Sequence, residues 1–167
     1  HPLRVSSHFC FAISKRNKSP ISNLSFPMKN ILVLCTSNSC RSQIAEGYLQ
    51  HFGADAVKVY SAGVETHGVN PRAIEIMRED GIDISHHTSN LVDEYIDIPF
   101  DLILTVCDNA KERCPYFPSK AERIHYSFSD PAKATGTEEE IKSEFRKVRN
   151  EIKEYSRNLM STFLAKN

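Results

Sequence analysis

Ile31-Leu32-Val33-Leu34-Cys35-Thr36-Ser37-Asn38-Ser39-Cys40-Arg41-Ser42-Gln43-Ile44-Ala45-Glu46-Gly47-Tyr48-Leu49 is the stretch from which the rest of the chain can be read. Four apolar residues in a row, Ile31 to Leu34, lack polar alternation, the pattern of a strand buried on both faces. From Ser42 to Phe52 the residues Ile44, Ala45, Tyr48, Leu49 and Phe52 fall on one side of a helix. A short polar loop, bounded by Cys35 and Arg41, joins the two. Such a junction turns several backbone N–H groups inward, and the helix dipole adds about half a positive charge there. Arg41 contributes a forked pair of donors that fits a tetrahedral oxyanion. Thr36, Ser37, Asn38, Ser39, Cys40 and Arg41 are therefore candidate substrate-binding residues. The same field is expected to hold the Cys35 thiol below its free value of about 8.5, which makes it the candidate nucleophile. Ser42 is expected to donate a further hydrogen bond to that sulfur. A cysteine at a strand end can also be only a small core residue. The polar loop between a strand and an amphipathic helix favours the chemical reading. Cys40 offers its amide rather than its sulfur and is assigned no redox role.

Working outward, Val57 to Ser61 reads as a second strand. Asn70-Pro71 supplies an N-cap and a proline at the first helical position, and Gly81 closes that helix. Leu91 to Ile96 is predicted to be a short helix ended by Pro99. Asp101 to Val106 reads as a third strand, and Arg123 to Phe128 as a weaker fourth. Thr137 and Glu140 form a capping box. A long helix follows, with Ile141, Phe145, Val148, Ile152, Tyr155, Leu159 and Phe163 as its packing stripe. Strands alternating with helices predict a three-layer α/β/α fold around a four-stranded parallel sheet. In such sheets ligands bind beyond the carboxyl ends of the strands. Cys35 ends the first strand and Cys107 follows the third, so both are expected on one rim.

The chain has 167 residues, enough for one domain with a single core. Lys+Arg and Asp+Glu balance at 21 each, which gives no electrostatic case for a nucleic-acid or membrane-surface partner. No apolar run approaches the roughly 20 residues of a membrane helix. Five cysteines, an odd count, point to a reducing cytoplasm and chemically active thiols rather than a stapled secreted domain. Residues 1–27 lack periodicity and are read as an N-terminal extension with no part in the chemistry. Met28 reads as a natural start, and 28–167 as a single domain. A docked arm using Phe9, Phe11 and Ile13 is the alternative. Neither zinc-type Cys/His spacing nor a dinucleotide-type glycine turn is present, so no bound cofactor is expected.

The run Cys35 to Gln43 with Ala45-Glu46-Gly47 resembles the thioredoxin-coupled arsenate reductases built on the low-molecular-weight tyrosine phosphatase fold. Ser61-Ala62-Gly63-Val64-Glu65-Thr66-His67-Gly68-Val69-Asn70-Pro71, Gly81 to Ser85 and Ser129-Asp130-Pro131-Ala132 carry the resemblance further. It implies reduction of arsenate to arsenite for arsenic detoxification, with Asp130 as general acid and Cys35, Cys107 and Cys114 as a thiol relay. In that relay Cys107 attacks the Cys35 adduct, arsenite leaves, and Cys114 then takes over the disulfide for thioredoxin to reduce. A negative thiolate and oxyanion near Asp130 are expected to raise its pKa. Were 108–113 helical, Cys107 and Cys114 would stand about 10 Å apart, beyond the 4.4–6.8 Å that disulfide Cα atoms need, so this segment is expected to unwind in turnover. The resemblance also places Asn38, Glu46, Ser61 and Asn90 where some relatives hold potassium. Asn90 is neutral where the pattern calls for an acid, which favours loop bracing over a cation.

Two rivals remain. A low-molecular-weight protein tyrosine phosphatase would need only the loop, Arg41 and an acid, but usually carries aromatic residues beside that acid, where Ala132 and Lys133 stand here. A non-catalytic oxyanion or arsenical sensor would not need Cys35, Arg41 and Asp130 together. The expected partners are thioredoxin and arsenate, acting on a monomer.

Overall fold

The computed structural model describes residues 26–113 and 120–166, so Cys114 and nearly all of the proposed extension lie outside the described residues. Four strands, β1 (Lys29–Cys35), β2 (Val57–Gly63), β3 (Leu102–Thr105) and β4 (Glu122–His125), form one parallel sheet in the order β2-β1-β3-β4. Every residue from Ile31 to Cys35 and from Leu102 to Thr105 is buried. Successive side chains leave a strand on opposite faces, so unbroken burial means that both faces are covered. The α/β expectation holds.

Helix α1 (Arg41–Gly53) packs on β1 and β2, and α4 (Glu138–Ala165) packs on α1 and α2 (Pro71–Glu79). Ser61 of β2 faces α1, where its hydroxyl meets Glu46 at 2.7 Å. Tyr60 therefore points to the other face, and there its ring meets Tyr95 and Phe100 edge-on. The start of α2 follows from its sequence: Asn70 accepts the Arg72 N–H at 2.9 Å with Pro71 behind it, and Gly81 takes a φ of 78° past the helix end. Thr137 and Glu140 close both halves of the capping box on α4, at 3.1 and 3.2 Å.

Three expectations shift. Leu91 to Ile96 is a tighter 3₁₀ turn over Val92–Tyr95. Strand β4 stops at His125, although Tyr126 and Phe128 still donate to Thr105, at the end of the neighbouring strand, and to Val106 just past it. On α4 the buried residues are Phe145, Val148, Ile152, Ser156, Met160 and Phe163, while Tyr155 and Leu159 are only half-buried. That spacing tracks the 3.6-residue turn of a straight helix; the predicted alternation of four and three would need a supercoil.

Candidate active site

The loop after β1 owes its shape to a clamp. The N–H of Glu65 donates to the Thr36 carbonyl at 3.0 Å, that of His67 to Ser37 at 3.2 Å, and that of Asn70 to Ser39 at 2.9 Å. Each peptide is planar, so the amides of Ser37, Asn38 and Cys40 point away from the clamp, toward the loop's interior. The clamp needs Gly63, because a methyl group there would strike the Glu65 carbonyl and sit 2.8 Å from both the Asn38 nitrogen and the Thr36 carbonyl. Asn38 takes a left-handed φ of 48°, a conformation Asn tolerates better than most residues. Its fully buried side chain accepts from the Asn90 N–H at 2.8 Å and donates to Ser42 and Ser61 at 2.9 Å each.

Arg41 opens α1 and reaches back over the loop. Its Nη1 donates to the Phe128 carbonyl at 3.0 Å, and its Nη2 lies 3.5 Å from Asp130 Oδ2. The other Asp130 oxygen accepts from the Ala132 N–H at 3.0 Å and starts a 3₁₀ turn over Pro131–Lys133. Asp130 thus faces a guanidinium, an opposite charge. Together these residues surround a cleft of about 560 Å³ that also contains Cys35, Cys107 and Asn109. Among its described lining residues there is no Phe, Tyr or Trp.

Cys35 and Cys107 meet at the floor of this cleft. The two residues are 2% and 4% exposed, and their thiols lie close enough to bear on each other's ionisation. The neighbouring Cys107 thiol pushes the Cys35 thiol above its ordinary range, and burial pushes it further, against the pull of Arg41 and the Thr36 amide. The Cys107 thiol moves the other way, downward, chiefly through its neighbour Cys35, helped by the Thr36 hydroxyl at 3.1 Å and the Ala110 amide. Two adjacent sulfurs cannot both carry charge cheaply in a buried site. The pair therefore shares a proton, and the expected lowering of the Cys35 thiol by Arg41 and the loop is opposed by burial and by the neighbouring thiol. The Ser42 hydroxyl accepts from Asn38, which leaves its own hydrogen to donate, and the Thr36 backbone donates to the Cys35 sulfur. Burial pushes the Cys40 thiol up to about 12, which suits a residue used for its amide.

Cys107 stands just before α3 (Asp108–Arg113), so the condition of a helical 108–113 segment is met. Glu46, Ser61 and Asn90 brace the loop from behind, next to a second cavity of about 240 Å³. Burial raises the Glu46 carboxyl to about 7 and lowers His87, whose Nδ1 is 3.2 Å from it, to about 4. Sequence reasoning missed Asn109, which donates to the Thr36 hydroxyl at 3.3 Å, and His87, which contacts Gln43 at 3.0 Å. Neither stands in a motif; only the folded sheet brings them to the loop.

The sequence pattern of the low molecular weight phosphotyrosine protein phosphatase family matches residues 30–167. The chain belongs to that family. Within the family it is 52% identical over 124 residues to the arsenate reductase of Halalkalibacterium halodurans, covering 74% of this chain and 89% of that protein. A solved arsenate reductase in the phosphate binding state superposes with a TM-score of 0.66 at 32% identity, covering 81% of this chain and 98% of the other. The Corynebacterium glutamicum thioredoxin-dependent arsenate reductase Cg_ArsC1' superposes with a TM-score of 0.67 at 25% identity, covering 86% and 66%. Among the described residues no helix is long and apolar enough to cross a membrane.

Proposed function

We propose that this chain reduces arsenate to arsenite through Cys35, Cys107 and Cys114, and that thioredoxin restores the thiols. The observation that carries the reading is the Cys35–Cys107 contact at the floor of an oxyanion cleft. Hydrolysis of a phosphate ester has no use for a second sulfur there. Reduction of As(V) does, because it needs two electrons.

Arsenate enters against the inward amides and Arg41, and the incoming oxyanion takes the Cys35 proton. The freed sulfur attacks arsenic, and one oxygen leaves as water with a proton from Asp130. The Cys107 thiolate then attacks the Cys35 sulfur. A Cys35–Cys107 disulfide forms, the S–As bond breaks, and its electron pair stays on arsenic, which departs as arsenite. Cys114 next attacks Cys107 and releases Cys35, leaving Cys107–Cys114 for the dithiol of thioredoxin. The low pKa of Cys107 suits the second step, in which it is the nucleophile. In this reading the enzyme is a cytoplasmic monomer, needs no bound cofactor, and serves arsenic resistance. Thr36, Ser37, Asn38, Ser39 and Cys40 frame the substrate's oxygens.

The deciding assay is thioredoxin-coupled NADPH oxidation on addition of arsenate. Wild type is expected to turn over, and Cys107→Ser and Cys114→Ser to stop after at most one arsenite. Aryl-phosphate hydrolysis that is faster than arsenate turnover and indifferent to Cys107→Ser would replace the reading with a phosphatase. Arsenate binding without any turnover would replace it with a sensor.

A further inference from the structure

His125 ends β4 with an imidazole bound on both sides. Its Nδ1 lies 2.7 Å from the hydroxyl of Thr105, the last residue of β3 and its register partner. Its Nε2 lies 2.8 Å from Oδ1 of Asp108, the first residue of α3. A carboxylate cannot donate, so Nε2 carries the hydrogen of that bond. A rigid ring thus joins the buried end of the sheet to the turn that follows Cys107 directly.

This matters because α3 is only six residues long, too short to hold a helical form by itself. Among the described residues its first turn is also held by Asn109, which reaches the Thr36 hydroxyl at 3.3 Å, by the Ala110 amide, which serves the Cys107 sulfur, and by the buried Ala110 side chain. We propose that His125 is a positioning residue which, by bridging Thr105 to Asp108, holds the first turn of α3 in place and keeps the Cys107 sulfur against Cys35. The inference rests on the arsenate reductase reading for its catalytic consequence, but not for its structural one. In that reading the bridge must also break, because Cys107 has to leave Cys35 for Cys114.

The test uses the full chain with Cys114→Ser, in which the relay stops at the Cys35–Cys107 disulfide. Into it are placed His125→Ala, His125→Gln, Asp108→Ala and the double substitution. Two quantities are read: amide hydrogen exchange across α3, and arsenite released in a single turnover. The bridge is partly solvated at its Asp108 end, where the side chain is 75% exposed, so its effect is modest. His125→Ala and Asp108→Ala are each expected to speed α3 exchange and slow arsenite release about fivefold, with the double no worse than either. His125→Gln, which keeps a donor near Asp108, is expected to recover part of both. Asp108 is exposed, so its variant will fold, and unchanged α3 exchange in Asp108→Ala overturns the proposal even if His125→Ala unfolds. Single effects that add in the double variant overturn it as well. Should the parent release no arsenite at all, the functional reading fails, while the exchange comparison still decides the bridge.

Discussion

Arg41 Nη2 lies 3.5 Å from Asp130 Oδ2, so the cation that would clamp an oxyanion is paired, before substrate arrives, with the acid that would protonate it. Binding an anion must pull the guanidinium partly away from the carboxylate. The pair orients both groups across the mouth of the cleft, and neither is committed to the other: the side chains remain 13% and 25% exposed. Asp130→Asn removes the proton donor and also the competitor for Arg41. Arsenate turnover is expected to fall about 100-fold, while inorganic phosphate, as a competitive inhibitor, binds no more weakly than to wild type. Steady-state kinetics with phosphate inhibition distinguishes these; weaker phosphate binding would mean that Asp130 builds the cleft and does not serve it.

Cys107 is also expected to bear on the protonation of Cys35. It is the largest influence raising the Cys35 thiol, so Cys107→Ala leaves burial opposed by Arg41 and the Thr36 amide. The Cys35 pKa is expected to fall in that variant. Iodoacetamide alkylation followed against pH should show Cys35 becoming reactive at lower pH than in wild type. An unchanged or upward-shifted profile would break the proton-sharing account.

Glu46 gives a pH-dependent signature of the brace behind the loop. Unfolded, it ionises near its ordinary 4.5; folded, burial raises it to about 7. The folded state therefore binds the extra proton, and this contribution to stability is complete below 4.5 and is lost as pH rises through 7. Glu46→Gln keeps an acceptor for the Ser61 hydroxyl without the charge. It is expected to stabilise the protein by about 2 kcal/mol at pH 8 and by little at pH 4.5, measured by urea unfolding. Equal gains at both pH values would show that packing, not charge, is responsible.

Gly63 tests the clamp. Gly63→Ala forces a methyl group against the Glu65 carbonyl and the back of the loop. Stability is expected to drop by about 2 kcal/mol. Affinity for oxyanions should fall with it, because the amides lose their common aim. Calorimetric titration with phosphate on the folded fraction reads this directly, and wild-type affinity there would show that the loop keeps its shape without the clamp.

Much of the fold is legible in the chain before it folds. Ile31 to Leu34, the Asn70-Pro71 cap and the Thr137–Glu140 box are local signals, and each specifies its element. The placement of Cys35 and Cys107 on one rim follows from strand order, since parallel strands end on the same side. What sequence does not carry is that the two thiols share one buried site and bear on each other's ionisation. Weighing the loop and Arg41 alone predicts a charged Cys35; its contact with a second thiol, 72 positions on, is missing from that balance. The bond from Asn38 to the Ser42 hydroxyl is likewise visible only once Asn38 is seen to bend into the left-handed region. His87 and His125 act through partners brought near by the sheet, and no spacing announces them.

The oxyanion cleft takes its attraction from peptide groups and one guanidinium, none of which can tell one central atom from another. A tetrahedral anion of phosphorus and one of arsenic offer these donors oxygens of the same kind and nearly the same reach. Such a receptor sorts by outline, so phosphate must be a frequent and fruitless visitor. What separates the two is their fate afterward: only the arsenic centre can keep the pair of a broken bond to sulfur and leave reduced by two electrons. Selectivity on this scaffold would then be exercised by chemistry after entry, with little screening at the door.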